Sequence, residues 1–471
     1  MVHAARKGLA LLPRLIVAAV AITSASPGQW GPVAASTPPS ARSGALAGYD
    51  AANGRVLLFG GNFGNETWSY QAASSQGGAW TQLQPANVPP ARTRAAIATD
   101  VPQGRLVLYG GTGTVGLTTL DDTWIWTGSD WQQLAPTSTP GGRDRHAMAY
   151  DLTRDTVVLF GGRNNLSQPQ QALADTFEFA NGTWTPVVSP HTPPGLAEPA
   201  MAYLPSLAQV VLFGGVDSNG FGSDQTWAFD GSDWTQLALT GPRPPARYGA
   251  RLEANLARSV LVLVGGRDAT TLAIVNDTWE FDGVAWRQIN NVYGGLYPPR
   301  AEFACAHDLG RDRLVVFGGS NATGFAQADT YEFGAHFQPF GLTCTGSAGA
   351  VQLVSVAPPR LANVCRVDVV NLPPAVPLAA FAIGLSRQQW AGGSLPFLLT
   401  GLGLTGCRAY TSAELIVPLL ASNGVASWTF PFPNQASLLG NAYHVQGLSL
   451  DPGWNPAGLV TSNAATLVVG Y

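Results

Sequence analysis

The side chains with the clearest capacity for chemistry are five arginines that recur along the chain. Each lies eight residues before the end of a short run of small and apolar residues, as in "RDRHAMAYD". The set is Arg42, Arg92, Arg143, Arg247 and Arg300, and Leu196 occupies the corresponding place in a sixth copy. A guanidinium group donates a fork of hydrogen bonds that fits a carboxylate or sulfate. The recurrence therefore predicts one binding surface for an acidic ligand.

Acidic residues offer these arginines a second role. An acid lies at the start of each later aromatic segment, such as "DTWEF", and the six acids are Glu66, Asp122, Asp175, Asp224, Asp277 and Asp329. Opposite charges on one face of a sheet can neutralise each other as internal ion pairs. The sequence leaves both roles open, ligand contact and internal pairing.

Other residues that could support catalysis or bind a metal are sparse. His146 and His307 lie at different offsets from the nearest repeated arginine, so the sequence favours hydrogen-bonded histidines on strands over metal ligands. Lys7 is the only lysine, and a mature chain without it could form no lysine Schiff base. Metalloprotease and nucleophile-elbow motifs are absent from the sequence. We therefore predict no metal, no cofactor and no catalytic residue, although acids from different repeats could still meet.

The four cysteines do not form a metal-binding pattern, because no two of them are separated by only two residues. Cys305 and Cys365 lie on apolar segments and are expected to be buried thiols. Cys344 and Cys407 lie beside glycines in turn-like surroundings. We predict a disulfide between this second pair, in an exported chain that would meet oxidising conditions.

A repeated unit must position the arginines. The phrase "RVLLFGG" at Arg55 returns five times in similar form, and its glycine pairs are spaced 50 to 53 residues apart. Each pair is followed by two aromatic residues at alternate positions and, in five units, by a tryptophan. These marks predict four short strands per unit, with aromatic side chains on one face. A single unit cannot bury both faces, so six units are expected to close radially as an all-β propeller.

The diglycine after an apolar strand, the aromatic pair and the later tryptophan resemble the kelch repeat. The resemblance covers roughly residues 28 to 341. It implies a six-bladed kelch-type β-propeller of the galactose oxidase/kelch-like superfamily. That superfamily includes protein-binding adaptors, sugar epimerases and a copper radical oxidase, so it leaves the function open. The residues that the copper oxidase needs, two tyrosines, two histidines and a cysteine-linked tyrosine, do not appear as a cluster here.

Ring closure can be predicted from Trp30. It lies 50 residues before Trp80, and each of the two precedes an arginine of the repeat by 12 residues. We therefore predict that the segment around Trp30 is a lone fourth strand that completes blade six. The competing segment, "AHFQPFG" at 335–341, has a phenylalanine in place of the tryptophan and contains Pro339.

Both ends of the chain differ from the repeats. Residues 1–26 combine Arg6, Lys7 and Arg14 with a short apolar run, which predicts a secretory signal peptide. The propeller is assigned to 27–341. Residues 342–471 contain alternating apolar runs separated by proline and glycine, which predicts a β-sandwich. Stretches such as "LTGCRAYTS" are similar to a C-terminal domain of secreted bacterial proteins.

These observations predict a secreted or cell-surface, non-enzymatic binding module that holds a protein or glycan at the loop-rich mouth of the propeller. A sugar-acting oxidase or epimerase and a structural cell-surface protein are the alternatives. The chain has a net charge of −4 and no basic patch, which argues against a nucleic-acid partner. No membrane span is expected in the mature chain, which is expected to be a monomer.

Overall fold

The structure is a computed structural model. It describes residues 29–468, except 73–76, 165–170, 257–258, 290–296, 335, 341–344, 358–363, 374–377, 385–388, 391–392, 396, 400–407, 410, 412, 414, 432–441 and 453–458. The segment predicted to be a signal peptide lies outside the described residues. Within the described ranges, no helix has the length and apolar character needed to cross a bilayer.

Six antiparallel blades of four strands form the propeller, which confirms the predicted fold class, and the outer strands of blades one and six join these two blades into one eight-stranded sheet. In blades one and two the strands are Leu46–Asp50, Arg55–Phe59, Thr67–Ala72, Gly77–Leu83; Ala96–Asp100, Arg105–Tyr109, Thr123–Trp126 and Trp131–Leu134. In blades three and four they are Ala147–Asp151, Thr156–Phe160, Thr176–Ala180, Thr183–Val187; Ala200–Leu204, Gln209–Phe213, Thr226–Phe229 and Trp234–Gln236. In blades five and six they are Arg251–Asn255, Val260–Val264, Thr278–Phe281, Trp286–Ile289; Ala304–Asp308, Arg313–Phe317, Thr330–Gly334 and Gln29–Ser36. Two short pairings, Arg92–Thr93 with Thr112–Gly113 and Arg247–Tyr248 with Arg267–Asp268, lie outside the blades.

The glycine pairs end the second strand of every blade. Both glycines of each pair have positive φ, between 56° and 99° over the six pairs, a backbone region that favours glycine. At Gly161, a Cβ atom would lie 2.5 Å from the carbonyl oxygen of Leu196, in the segment that enters blade four. The pairs therefore allow the chain to turn where the loops of two blades meet.

The strand Gln29–Ser36 closes the ring. It pairs antiparallel with Thr330–Gly334, and Trp30 lies opposite Phe333. The prediction that Trp30 belongs to blade six is confirmed. The end of the same strand, Ala34 to Ser36, also pairs parallel with Gly77–Leu83, so it joins blade six to blade one.

Six tryptophans connect neighbouring blades. The indole N–H of each donates to the hydroxyl of the threonine that begins the third strand of the preceding blade, at 2.8–3.0 Å. The pairs are Trp30–Thr278, Trp80–Thr330, Trp131–Thr67, Trp184–Thr123, Trp234–Thr176 and Trp286–Thr226. All six indole rings are buried. Each ring thus fills the space between two blades and satisfies its one donor there.

The C-terminal region is an antiparallel, sandwich-like sheet of eight strands. The strands are His336–Phe340, Gln352–Ala357, Val364–Val370, Leu378–Gly384, Leu415–Ser422, Val425–Pro431, Ala442–Leu450 and Leu459–Val468. Leu415–Ser422 pairs first with Leu378–Gly384 and then, at its end, with Val425–Pro431, so it passes from one half of the sheet to the other. A shared core that includes Phe381, Val367 and Val445 joins the two halves. The expected boundary at 341/342 falls among undescribed residues, while His336–Phe340 already pairs with the last strand.

Short two-residue pairings complete the C-terminal region. They join Thr345–Gly346 to Gly349–Ala350, Gln389–Trp390 to Gly393–Ser394, and Phe397–Leu398 to Arg408–Ala409. The outer face of the eight-strand sheet exposes Leu378, Ile416 and Leu420, and Leu378 lies opposite Leu420 in register. The surface of this region, which has few charged residues, therefore includes exposed apolar side chains as well as polar ones.

The predicted disulfide between Cys344 and Cys407 lies outside the described residues and stays a prediction. It would close a loop of about 64 residues and stabilise the fold by roughly 4 kcal/mol through the entropy of the unfolded chain. Peptide mapping without reductant should recover the two cysteines in one linked fragment. Free thiols at both positions would show the pairing to be wrong. Cys305 and Cys365 are buried free thiols, as expected from the sequence.

Candidate functional site

All five repeated arginines lie at one face of the propeller, where the first strands begin and the second strands end. Their side chains are almost completely buried, with at most 3% of the residue surface exposed. Each guanidinium group forms an ion pair with the acid at the start of the third strand, at 2.5–3.2 Å. The pairs are Arg42–Glu66, Arg92–Asp122, Arg143–Asp175, Arg247–Asp277 and Arg300–Asp329.

Arg92 shows how completely these donors are used. Its Nε donates to the carbonyl of Pro90 at 2.9 Å, and its Nη1 donates to the carbonyl of Gly110 at 2.9 Å. Nη1 and Nη2 also donate to the two carboxylate oxygens of Asp122, each at 2.6 Å. The arginine therefore connects an incoming loop, a glycine pair and a third strand. These contacts are those of the ion-pair alternative; the role of the five arginines in ligand contact stays a prediction.

Blade four replaces both members of this pair. Leu196 takes the place of the arginine, and Gln225 takes the place of the acid directly before the threonine of the third strand. The Gln225 side chain accepts a hydrogen bond from the Trp227 indole at 3.0 Å, as Asp122 does from Trp124 in blade two at 2.7 Å. Asp224, which the sequence suggested as the acid of this blade, instead pairs with Arg243 at 2.9 Å. That assignment is corrected, because the neighbouring glutamine occupies the equivalent position.

A second ring lies nearer the axis, two residues after each arginine position. Its members, one from each blade, are Gly44, Arg94, Arg145, Glu198, Gly249 and Glu302. Each backbone N–H donates to the carbonyl of the member from the preceding blade, at 2.7–3.3 Å, so the six hydrogen bonds form a closed circle. All six residues have positive φ, between 53° and 65°. We call this circle the axial ring; it constricts the central channel at the arginine face.

The charged members of the axial ring neutralise one another. Arg94 pairs with Glu302 at 3.2 Å, and Arg145 pairs with Glu198 at 3.2 Å. Burial raises the pKa of the Glu198 carboxyl, and the neighbouring Arg145 opposes that shift. The floor of the mouth is therefore charged but balanced, with both signs at its surface.

A depression of about 380 Å³ lies beside the axial ring, between blades one and three. Three guanidinium groups line it, those of Arg94, Arg145 and Arg163, together with the side chains of Asp144 and Phe63. Oδ1 of Asp144 and Nε of Arg163 are buried and have no hydrogen-bond partner among the described atoms. Unpaired buried polar atoms carry a desolvation cost. The residues that line the depression therefore include one unpaired acceptor and one unpaired donor, both out of contact with solvent.

The loops between second and third strands place apolar side chains at the rim of this mouth. Five of the six loops expose a large apolar side chain, with exposed fractions from 39% to 85%. These loop-tip residues are Phe63, Val115, Leu117, Phe221, Leu272 and Phe325. In blade three the corresponding segment, 165–170, is outside the described residues. We call this set the apolar rim.

Hydrogen-bonded turns hold the apolar rim in place. Oδ1 of Asp217 accepts from the backbone N–H of Asn219 and of Phe221, both at 2.8 Å. Asn321 repeats the arrangement in blade six, accepting from the N–H of Phe325 at 3.0 Å. These hydrogen bonds fix the backbone at Phe221 and Phe325, so the turns themselves hold the two phenylalanine rings in solvent. Side-chain turns of this kind are typical of Asp and Asn.

His146 lies just before the first strand of blade three, and His307 lies on the first strand of blade six. Burial and the charge of Arg143 lower the pKa of His146 to about 3, so its ring is neutral. His307 makes a 3.1 Å contact with Asp312 through Nε2. In the described part of the chain, no group of three or more His, Cys, Asp and Glu residues could hold a metal ion.

Comparison with known proteins agrees with the geometry. Residues 127–319 match the KLHDC2/KLHL20/DRC7 Kelch-repeats domain. Together with the six blades, this match supports a kelch-type β-propeller.

Several curated proteins are similar to part of the chain. Multiple epidermal growth factor-like domains protein 8 of Rattus norvegicus is 28% identical over 230 residues, which are 45% of this chain and 8% of that protein. Host cell factor 1 of Homo sapiens is 26% identical over 216 residues, 40% of this chain and 10% of the relative. Serine/threonine-protein phosphatase BSL2 of Arabidopsis thaliana is 25% identical over 177 residues, 35% of this chain and 17% of the relative. The chain therefore spans only a small part of the length of these relatives.

Sequence reasoning missed the axial ring and the apolar rim. The signal for the axial ring lies two residues after each repeated arginine, where the sequence has either a glycine, as at Gly44 and Gly249, or a charged residue. The rim could have been found in the loops themselves, because "DSNGFG" and "SNATGFA" place a phenylalanine just after Asn-Gly or Thr-Gly. The polar composition of such loops hides a single apolar side chain at the tip.

Proposed function

We propose that the chain is exported and that its propeller binds a protein partner at the arginine-bearing mouth. The apolar rim is the observation that carries this proposal. The N-terminal composition supports export, and the kelch fold supports protein binding.

The chemistry of the rim favours a protein over a small polar ligand. Phe221, Phe325 and Leu272 stand in solvent on ordered turns, and exposing them costs hydrophobic free energy unless a partner covers them. Protein interfaces are enriched in aromatic anchors surrounded by polar groups. The mouth has this arrangement, with apolar tips around a charged floor.

The depression beside the axial ring supplies the polar part of recognition. Asp144, Arg94, Arg145 and Arg163 line it, so both signs of charge are present. A polar or charged side chain of the partner that enters the depression would meet these groups. The propeller therefore combines apolar contacts at the rim with hydrogen bonds at the floor.

In this proposal the five buried arginines stabilise the fold and do not contact the partner. The donors of Arg92, for example, are occupied by Asp122 and by backbone carbonyls. A glycan at the same mouth is the competing ligand. It would depend on the polar floor more than on phenylalanine side chains.

A peptide-display selection against the exported chain tests the proposal without a known partner. Peptides selected from a random library should bind the native protein, and the double substitution Phe221→Ser with Phe325→Ser should weaken their binding about tenfold or more. Both side chains are exposed, so the melting temperature should remain unchanged. Affinity can be measured by surface plasmon resonance.

Val284→Ser is the matched control, because Val284 is also exposed but lies in the turn between third and fourth strands, away from the mouth. It should leave peptide affinity unchanged. If selected peptides bind the rim variant as well as the native chain, or if only glycans bind, the proposed protein-binding role is wrong.

A further inference from the structure

The central channel has one narrow end and one open end. The axial ring constricts it at the arginine face. At the opposite face the channel widens into a cavity of about 120 Å³, and the apolar side chains of Val101, Leu152, Leu256 and Leu309 surround its entrance. An apolar cavity of comparable size can hold a ligand of about six heavy atoms. The channel can thus be entered from the face that lies away from the proposed protein-binding mouth.

Glu253 brings an acidic side chain into the lining of this cavity. Its equivalents in the first strands of the other blades are all Gly or Ala: Gly48, Ala98, Ala149, Ala202 and Ala306. The Glu253 carboxyl accepts a hydrogen bond from the backbone N–H of His307. The cation on its own strand, Arg251, donates through Nε to the carbonyl of Phe303 at 3.0 Å. Blade five therefore departs from the repeat by adding a carboxyl group to the channel.

Three tyrosines line the same cavity. Their hydroxyl groups are already engaged: Tyr49 accepts from the N–H of Gly310 at 3.1 Å, Tyr150 donates to Asp155, and Tyr203 shares a hydrogen bond with Thr153 at 2.5 Å. Because each hydroxyl group already has a hydrogen-bond partner in the protein, the aromatic rings are the part of the tyrosines that remains for contact with a ligand. Aromatic carbon beside a carboxylate is the surface that attracts organic cations.

We infer that the channel binds a small organic ammonium ion, with Glu253 as its counter-ion and the tyrosine rings as its aromatic wall. A methylated or short-chain ammonium suits the combination of one negative charge with aromatic and aliphatic side chains in the same lining. A hydrated metal cation does not, because it prefers several oxygen ligands. The inference is independent of the proposed function, since the two sites open on opposite faces.

Ionisation of Glu253 makes the site depend on pH. Burial raises the pKa of its carboxyl to about 8, so the free protein holds it largely protonated at neutral pH. The titratable and charged groups around it are Arg251 on its own strand, Cys305 and His307 on the neighbouring strand, and His146, Tyr49, Tyr150 and Tyr203 on the other walls. An ammonium ion needs the ionised carboxylate, so affinity should rise as the pH rises through about 8.

Calorimetric titration of the exported chain with tetramethylammonium chloride tests the inference, with sodium chloride as the reference and tert-butanol as the neutral analogue of similar shape. Saturable binding of tetramethylammonium is expected, with no matching signal from the other two. Affinity should increase about 25-fold between pH 6.5 and 8.5, in proportion to the ionised fraction of a carboxyl with a pKa of about 8. Glu253→Gln should reduce affinity about tenfold or more while the fold persists, because it replaces a protonated carboxyl by an isosteric amide.

Glu178→Gln is the control, since Glu178 pairs with Arg154 at the same face but outside the channel. It should leave affinity unchanged. Glu253→Ala, which restores the residue type of the other blades, gives a second variant should the amide disturb packing. No saturable binding by the native chain, or equal affinity in the native chain and both Glu253 variants, would overturn the inference.

Discussion

Deletion of the strand Gln29–Ser36 is expected to lower the melting temperature of the propeller by roughly 10 °C, far more than trimming a surface loop. Without this strand, Thr330–Gly334 becomes an open edge, and blade six is left with three strands. The deletion also removes Trp30, whose buried ring fills the gap between blades five and six. Opening the ring is expected to weaken the packing between neighbouring blades as well as blade six itself.

Point substitutions separate the contributions within this strand. Trp30→Ala should cost about 3–5 kcal/mol, the usual range for a buried aromatic side chain. Trp30→Phe keeps much of the ring volume but loses the 2.8 Å hydrogen bond to Thr278, and loss of that bond should cost about 1 kcal/mol. Thermal unfolding followed by near-ultraviolet circular dichroism measures both. If the deletion and Trp30→Ala leave the melting temperature unchanged, closure by the N-terminal strand does not stabilise the propeller.

Arg92→Ala is expected to destabilise the fold by about 3 kcal/mol or more. The substitution leaves Asp122 without its cation and leaves the carbonyls of Pro90 and Gly110 without their donor. Removing one partner of a buried ion pair is more harmful than removing both, because the remaining charge is uncompensated. Arg247→Ala should behave in the same way, since its contacts repeat those of Arg92.

Blade four provides the matched control for this prediction. It has Leu196 and Gln225 where the other blades have an arginine and an acid. The double variant Arg92→Leu with Asp122→Gln copies that solution and should be more stable than Arg92→Ala. Chemical denaturation of the single and double variants gives the coupling between the two positions. Equal stability of Arg92→Ala and the native chain would show that the pair has no structural role.

The repeats made most of the propeller predictable. Six glycine pairs at a regular spacing predicted six blades, and the sheet topology confirms this number. The place of Trp30 before the first complete unit predicted how the ring closes, and its pairing with Thr330–Gly334 confirms that prediction. Periodic residues are predictable in this way because the same local pattern meets the same neighbours in every blade. For the repeated arginines the sequence predicted two alternatives, an ion pair with a nearby acid or contact with a ligand. The sequence alone does not show which of the two groups the guanidinium binds.

The features that carry the proposals were harder to predict because each depends on a single side chain or on contacts between distant residues. Glu253 replaces a small residue in a single blade, and only the channel geometry shows that its carboxyl lies in a cavity with three tyrosines. The axial ring depends on hydrogen bonds between residues about 50 positions apart, such as Arg145 to Arg94. Phe221 was one apolar residue in a polar loop, and the turn centred on Asp217 is what leaves it in solvent.

The most direct test compares two variants for stability and for binding of a display-selected peptide. Phe221→Ser with Phe325→Ser should retain the native melting temperature and lose about tenfold or more in affinity. Arg92→Ala should show the opposite pattern, a lower melting temperature with native affinity per folded molecule, because its donors are used inside the fold. If Arg92→Ala abolishes peptide binding in a fully folded protein while the phenylalanine variant binds normally, the buried arginines contact the ligand and the apolar rim is not the binding surface.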